Sequence, residues 1–441
     1  SRDSSNIYFG DDLLFEGYFG DQYSQAKLED LDSSETIVVW AEDIKDNLPI
    51  LYLRIKKAVK NGSKLIVFGH TNTSIAGLAD FYFGADIVSN KFELIRNPNE
   101  IEDLKNNIEG KKVTVIAGKS TVFQKKESLD KLINFLNEKS ELQVFNAFSK
   151  GNTFGALQNI DEVKGLNEFC NEFDTNAKNI VFTIGVNPVN SSFFGQKIKE
   201  KLIASDFVIS LDLFVNETTE LADLILPTTS LGEKEGTVTN MEMRVMKQNK
   251  ILPAPGSTLS EWEYLTSILN VLGEDVNYKN ENEINNYLSE KYINQEKLPT
   301  FDNLNKPSNL FGVINKKDIN INIKDLEEDN FSLLMVRRLY GDSSTQINSP
   351  SISMLGAHKF IELNSTTAKK YGINSKVGNL IQGPNSILIN IDINEYLPDD
   401  LVIAPINRRG FENIDPCLDF DITEAKNREE LNVNWYNNFS C

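Results

Sequence analysis

The chain has 441 residues, too many for one ordinary hydrophobic core, so we expect two or three domains. Hydrophobic residues make up 40% and charged residues 25%, as in soluble globular proteins, while the formal net charge is -19. This charge argues against direct nucleic-acid binding and against electrostatic attachment to an anionic membrane. No apolar run approaches the ~20 residues of a membrane span, so any membrane association should go through a protein partner.

Apolar runs alternate with helical patterns through the first half of the chain. The run 36–40 predicts a strand, Pro49 begins a helical pattern that ends at Asn61-Gly62, and 65–68 predicts the next strand of a β–α–β unit. Near-continuous apolar strands separated by helices indicate parallel sheets covered on both faces. The remaining predicted elements are strands at 113–117, 144–145, 180–184 and 207–211 and a helix at 129–136.

A polar block follows the next apolar run, which stops at Pro227 and predicts a buried strand ending where the chain turns onto a surface. Such a block can bind a hydrogen-bond-rich ligand such as a nucleotide, or it can simply hold a loop together. Ser260 and Glu263 then have the spacing of a capping box for a helix that ends at Gly273. The candidate residues of the block are Asp223, Glu233, Gly236, Thr237, Asn240 and Arg244.

Polar residues also follow two of the predicted strands. Gly185 and Asn187 come after the strand 180–184, and Asp212 comes after 207–211. In open α/β sheets, ligands bind beyond the carboxyl ends of the strands. Taken singly, these residues are turn formers and helix caps. Together with the block up to Arg244, we expect them to line one nucleotide-pocket crevice.

Other possible sites are less favoured. Gly118-Lys119-Ser120 follows a strand, but a phosphate loop needs a further Gly where Val113 stands, so we predict an ordinary strand-to-helix turn. The three cysteines, Cys170, Cys417 and Cys441, and the two histidines are widely separated. Iron–sulfur, zinc and histidine-based sites are therefore not expected, and we predict neither a metal ligand nor a catalytic residue.

The amino-acid composition changes in the second half of the chain. Residues 276–330 are rich in Asn, Glu, Lys and Tyr, which predicts a linker or surface insertion or, as the alternative, a few short helices. Short β segments dominate after residue 331 and predict a small β-barrel. We therefore expect two α/β domains at 1–145 and 146–275, the second with the nucleotide pocket, a linker or insertion at 276–330, and a β-barrel domain at 331–441.

The motifs resemble those of a known family. Ala-Asp-x-x-Leu-Pro at 222–227, Glu-x-x-Gly-Thr at 233–237, Asn240, Arg244, Pro255-Gly256 and Trp262 resemble the molybdopterin oxidoreductase superfamily in order and spacing. Asn152 and Gly155 match the Asn-x-x-Gly-Ala turn of that superfamily. The resemblance implies that the candidate residues are cofactor-binding positions. It also implies an α/β fold of Rossmann-like parallel-sheet domains, followed by a small β-barrel.

The carboxyl-terminal stretch resembles one branch of this superfamily in particular. Arg337 to Asp342 and Asn348 to Ser351 look like the large iron–sulfur subunit of the proton-pumping NADH–quinone oxidoreductase, complex I. This implies a scaffold region that supports electron transfer from NADH to quinone and is not catalytic alone. The other peripheral-arm subunits would be its partners, and it would lie in the cytoplasm, peripheral on the inner face of the plasma membrane. The iron–sulfur clusters of that family would lie in an amino-terminal region absent from this chain.

The same resemblance leaves an alternative open. The family pattern Asn-x-Glu-Gly-Arg has Met243 in place of Gly, which predicts bulk where the backbone would approach a nucleotide. We therefore expect a vestigial pocket and no cofactor in this chain. The alternative is a fragment of a catalytic molybdenum or tungsten bis-pterin enzyme of the formate dehydrogenase or nitrate reductase type, whose relatives carry molybdopterin guanine dinucleotide. A third possibility is an isolated α/β protein that binds a small ligand.

Overall fold

A computed structural model provides the structure of the protein. It describes residues 6–10, 17–18, 24–41, 43–69, 73–86, 91–94, 105–119, 126–160, 162–291, 320–321, 333–336, 338–340, 343–353, 355, 359–406, 408, 410–411, 413–415 and 418–425. Several residues named above lie outside these ranges: the two histidines, His70 and His358, the cysteines Cys417 and Cys441, and the motif residues Arg337, Gly341 and Asp342.

The described residues form twenty strands and thirteen α-helices. The strands are β1 (Ser24–Gln25), β2 (Thr36–Trp40), β3 (Lys64–Gly69), β4 (Phe81–Asp86), β5 (Lys91–Leu94), β6 (Lys112–Ala117), β7 (Glu141–Asn146), β8 (Glu162–Val163), β9 (Ile180–Ile184), β10 (Phe207–Asp212), β11 (Leu224–Pro227), β12 (Gly236–Thr239), β13 (Val245–Gln248), β14 (Asn320–Ile321), β15 (Leu333–Val336), β16 (Phe360–Leu363), β17 (Val377–Gln382), β18 (Asn385–Ile393), β19 (Val402–Pro405) and β20 (Asp421–Glu424). The helices are α1 (Asp30–Ser33), α2 (Ile44–Asn47), α3 (Pro49–Lys60), α4 (Lys126–Lys139), α5 (Thr153–Asn159), α6 (Leu166–Glu172), α7 (Pro188–Ser191), α8 (Gly195–Ile203), α9 (Glu261–Val271), α10 (Glu281–Lys291), α11 (Ser344–Ile347), α12 (Pro350–Ser353) and α13 (Ser365–Lys370).

The first sheet has seven strands in the order β1-β7-β6-β2-β3-β4-β5, and only β5 runs antiparallel to its neighbour. Its central strands are apolar on both sides, as predicted, because helices cover both faces. Ile37 and Val39 of β2 pack with α3 on one face, while Val38 and Trp40 pack with α4 on the other. The alternation of side chains along β2 therefore divides one strand between two cores.

The second sheet is smaller and more exposed. Strands β9, β10 and β11 are parallel, with β10 in the middle. Val181 and Val208 face the packed side, whereas Ile180, Phe182 and Phe207 of the opposite side are 65%, 40% and 40% exposed. Strand β11 lies at the edge and Leu224 is 42% exposed, so the prediction that this run is buried is wrong. An edge strand lacks one neighbour, which leaves its side chains open to solvent.

The polar block continues from the second sheet into a hairpin and a helix. Strands β12 and β13 pair antiparallel, and α9 begins at the predicted capping box, where the Ser260 backbone N–H donates to the Glu263 carboxylate over 2.8 Å. Helix α10 lies within residues 276–330, for which a linker or short helices were predicted. Strand β14 of the same region pairs with β8, so this part of the region returns to the body of the protein.

The carboxyl-terminal strands form a mixed sheet in the order β15-β19-β16-β18-β17-β20, which confirms a β domain after the α/β sheets. Its core is shared. Phe194, Ile198 and Leu202 of the α8 region belong to the same hydrophobic cluster as Leu363 and Ile403 of this sheet. Within the described residues, no helix combines the length and apolar character needed to cross a membrane.

Candidate functional site at the carboxyl edges of the two sheets

The carboxyl ends of the two parallel sheets approach one another. Lys119 follows β6 of the first sheet, and its ammonium nitrogen lies 5.4 Å from the ring centroid of Phe193, which follows α7 beyond β9 of the second sheet. Gly10 lies against Val186, since a Cβ atom on Gly10 would come within 2.5 Å of that side chain. We call the region between Gly118-Lys119 and residues 185–193 the edge junction. It is the position where open α/β sheets bind ligands.

Two predicted site residues belong to a tightly bonded loop on the second sheet. The Asn187 amide group donates to Glu217 over 2.6 Å, and its oxygen accepts from the Thr218 hydroxyl over 2.7 Å. The Asp212 carboxylate accepts the backbone N–H of Leu213 over 2.6 Å. It also accepts the side-chain N–H of Asn216 over 3.0 Å. These bonds hold the carboxyl ends of β9 and β10 in place.

Gly185 shapes the same loop. Its φ is +62°, a conformation that favours glycine, and its N–H donates to the Leu211 carbonyl over 2.8 Å. The structure therefore brings Gly185, Asn187 and Asp212 together at one edge, as the sequence predicted. These bonds pre-organise the loop and account for the predicted polar residues without a ligand.

Asp223 lies at the other end of the sheet. Its carboxylate accepts the backbone N–H of Val208, near the start of β10, over 2.8 Å, whereas Asp212 is the last residue of that strand. The expectation that Asp223 and Asp212 line one crevice is therefore wrong. Asp223 precedes its strand, so it lies at the amino edge. Glu233 has a local role too, because it accepts the Ser230 N–H over 2.8 Å and caps a short 3-10 turn.

The remaining predicted residues form a second group around the β12–β13 hairpin. Gly236 and Thr237 lie in β12, and Asn240 closes the turn by accepting the backbone N–H of Arg244 over 2.9 Å. The Asn152 side chain accepts the backbone N–H of Thr239 over 2.8 Å, which ties the hairpin to the start of α5.

Gly155 is required for that tie. A Cβ atom at Gly155 would come within 2.2 Å of the Asn152 oxygen, so a larger residue would displace the amide. The Asn-x-x-Gly spacing thus fixes the hairpin against α5 through Asn152.

Met243 occupies the position where the family pattern has Gly. It lies in the turn of the hairpin with φ +61°, a left-handed conformation that glycine adopts without strain. Its side chain is 6% exposed and packs in a cluster with Phe148, Phe154 and Val163. The structure thus shows that this side chain packs inside the protein, while the expected obstruction of a nucleotide stays a prediction. The preference for glycine at this position follows from the backbone angle, and the thioether is buried away from the surface.

The edges contain buried polar atoms that make no hydrogen bond within the described structure. They include the Lys119 ammonium nitrogen, the Asn190 side-chain oxygen in α7 and the Thr229 hydroxyl beyond β11. All three residues follow the carboxyl ends of strands. Buried polar groups are normally hydrogen-bonded, so such atoms at a strand edge are what a polar ligand would satisfy. In the sequence, Lys119 follows a strand in the way of an ordinary strand-to-helix turn, and no pattern marks Asn190 or Thr229.

The titratable groups of the described region were compared with the requirements of a metal site and of a nucleophile. Burial raises the pKa of the Cys170 thiol to about 11, so this thiol stays protonated at neutral pH and is a poor metal ligand or nucleophile. Among the described residues, no three His, Cys, Asp or Glu side chains cluster around a possible metal position.

One ion pair links the first sheet to the carboxyl-terminal sheet near this edge. Arg338 lies 3.7 Å from Asp46 of α2 and also contacts Glu362 of β16. Burial raises the pKa of Asp46 above its usual value, repulsion from Asp43 adds to the rise, and Arg338 opposes it. Arg338, part of the motif that suggested complex I, therefore has a structural role between domains.

Comparison with known proteins shows a similarity to molybdopterin oxidoreductases. The family model described as "Molybdopterin oxidoreductase" matches residues 4–271. The alpha subunit of an F420-dependent formate dehydrogenase from Methanocaldococcus jannaschii is 36% identical over 102 residues, which are 23% of this chain and 15% of that protein. The assimilatory nitrate reductase catalytic subunit of Bacillus subtilis is 36% identical over 94 residues, which are 21% of this chain and 13% of that protein.

A solved structure extends the likeness to most of the chain. Acetylene hydratase from Pelobacter acetylenicus aligns over 94% of this chain and 80% of its own, with a TM-score of 0.57 and 14% identity. At that identity the likeness shows the fold alone. The curated relatives are matched over only a small part of their length, 15% and 13% for the two above.

Proposed function

Because this chain belongs to the molybdopterin oxidoreductase family, whose model matches more than half of its residues, we propose that it is part of a molybdenum or tungsten pterin oxidoreductase. The formate dehydrogenase and nitrate reductase relatives support a redox reaction on a small oxyanion. Since each match spans a small part of the relative, the activity and substrate of the whole protein are part of this proposal.

The expectation of a complex I scaffold is wrong. Proteins similar in sequence include formate dehydrogenase and nitrate reductase subunits. The motif around Arg338 is explained by its contacts with Asp46 and Glu362. The expectations about partner subunits and attachment at the inner face of the membrane stay predictions, whereas our proposal of a pterin enzyme replaces the expectation that this chain holds no cofactor.

The observation that carries the proposal is the set of buried polar atoms without hydrogen bonds beyond the carboxyl ends of the strands: Lys119 and Asn190 in the edge junction and Thr229 after β11. Lys119, Asn190 and Thr229 offer an ammonium group, a carbonyl oxygen and a hydroxyl group at the carboxyl edges of the two sheets. A pterin nucleotide has phosphate oxygens, hydroxyls and ring N–H groups that match these atoms in charge and in hydrogen-bonding type. The residues present therefore fit the organic part of such a cofactor.

The residues of this chain would position the cofactor and exclude water. Gly185, Asn187 and Asp212 keep the ends of β9 and β10 in one arrangement before any ligand arrives, which lowers the ordering cost of binding. When bound, the metal–pterin group supplies the redox centre. Asn190 and Thr229 would then hydrogen-bond polar groups of the pterin nucleotide.

The test is cofactor retention by the full chain produced in a host that makes the pterin. We expect purified protein to release a guanine dinucleotide pterin on acid extraction. Thr229→Val should reduce that yield severalfold without loss of stability, because the Thr229 hydroxyl makes no hydrogen bond in the described structure. The matched control is Thr423→Val in β20 of the carboxyl-terminal sheet. Absence of pterin from the wild-type protein, or equal retention by both variants, would refute the proposal.

A further inference from the structure

Within the described part of the chain, Lys119 is a buried cation without an anionic partner. Its side chain is 3% exposed, and its ammonium nitrogen makes no hydrogen bond there. Among the described residues, this nitrogen lies over the ring of Phe193, 5.4 Å from nitrogen to centroid. Lysine is almost never fully buried unless it is paired. A cation–π contact only partly replaces the water that the ammonium group has lost.

The backbone holds this lysine in place. The Gly118 N–H donates to the Trp40 carbonyl over 3.0 Å, and the Gly118 carbonyl accepts the Gly17 N–H over 3.1 Å. A Cβ atom on Gly118 would come within 2.7 Å of the Ala41 side chain, so the ends of β2 and β6 pack closely here. Lys119 therefore projects from a fixed point at the carboxyl edge of the first sheet toward the Phe193 ring of the second.

Resting on the proposed function, we propose that Lys119 binds an oxyanion in the edge junction. An anion is the ligand class that compensates a buried ammonium group, and oxyanions accept its three N–H donors. Two sources share this chemistry: a phosphate group of a dinucleotide cofactor and a small oxyanion of the formate or nitrate kind. Unlike the predicted site residues, Lys119 is not used by the loop network or by the hairpin, so its position is explained by a ligand.

The experiment measures thermal unfolding of the full chain made in a host that lacks pterin synthesis. Sodium pyrophosphate, sodium formate and sodium nitrate are added separately, with sodium chloride at matched ionic strength as the reference. The variants are Lys119→Met, Lys119→Arg and, as control, Lys250→Met at an exposed position. An anion at about 100 times its dissociation constant should raise the midpoint by several degrees in the wild type.

The expected pattern separates binding from packing. Lys119→Met should raise the midpoint of the ligand-free protein and abolish the anion-dependent shift, Lys119→Arg should keep part of the shift, and Lys250→Met should match the wild type. A shift with pyrophosphate alone identifies a cofactor phosphate, and a shift with formate or nitrate identifies a small oxyanion. No shift with any anion overturns the inference. A Lys119→Met protein that is less stable yet keeps the shift also overturns it, because Lys119 is then a packing residue.

The two proposals fail separately. An anion shift that depends on Lys119, in a protein that retains no pterin, would leave the anion site standing and remove the pterin function. Retained pterin together with no effect of Lys119→Met would do the reverse.

Discussion

Substitutions at Met243 compare two contributions to stability: the strain of its left-handed backbone and the burial of its side chain. Met243→Ala removes a buried side chain and should cost about 2–5 kcal/mol, as large-to-small changes in cores do. The alanine would still be held at φ +61°. Met243→Gly removes the same side chain but also relieves a left-handed strain of about 1–2 kcal/mol. The greater chain entropy of unfolded glycine offsets roughly 0.5–1 kcal/mol of that relief. We therefore expect the glycine variant to be more stable than the alanine variant by about 1 kcal/mol, with both less stable than the wild type.

The assay is urea unfolding followed by circular dichroism, with midpoints compared between variants of equal slope. Leu157 supplies the control pair, because it is buried in the same cluster but lies within α5. There Leu157→Gly should be less stable than Leu157→Ala by about 1 kcal/mol, the ordinary helix penalty. If Met243→Ala proves more stable than Met243→Gly, the left-handed turn does not control this position and the reasoning fails.

Two further predictions concern packing and charge. Gly155→Ala should destabilise the protein by about 1–3 kcal/mol, because the added methyl group would displace the Asn152 amide. Gly232 has open space around it, so Gly232→Ala is the control and should be neutral. Equal midpoints of the two variants in thermal unfolding would contradict the clash. The pKa of Asp46 is raised in the folded state, so its stability contribution is present below the unfolded pKa of about 4 and is lost as pH rises through the folded pKa. Asp46→Asn should therefore raise the unfolding midpoint at pH 7 and match the wild type at pH 3, whereas a loss at pH 7 would mean that the Arg338 contact outweighs burial.

The first sheet could be predicted from the sequence because its strands are apolar on both sides and its helices have clear ends. Strand β2 and helix α3 fall where the pattern placed them. The exposure of β11 could not be predicted in the same way. An edge strand and a central strand of a parallel sheet have similar composition, and only the number of neighbours distinguishes them.

The site was predicted in part. Asp212 ends a strand and Asp223 precedes one, so their order along the chain already contained the signal that they lie at opposite edges. Lys119 is different, because its burial depends on Phe193, which is distant in sequence. The Gly-Lys-Ser spacing was judged only as a phosphate-loop motif. A single lysine beyond a strand can be recognised as unusual only when the chain that covers it is known.

The core shared by the α8 region and the carboxyl-terminal sheet makes these two regions one cooperative unit. A truncated chain ending at residue 275 would leave Phe194, Ile198 and Leu202 without the strands that cover them and should aggregate. Helix α10, by contrast, contributes none of its described side chains to that cluster. Insertions and deletions are therefore best tolerated around α10. Strands β15 to β20, in contrast, must stay in one chain with the helices on which they pack.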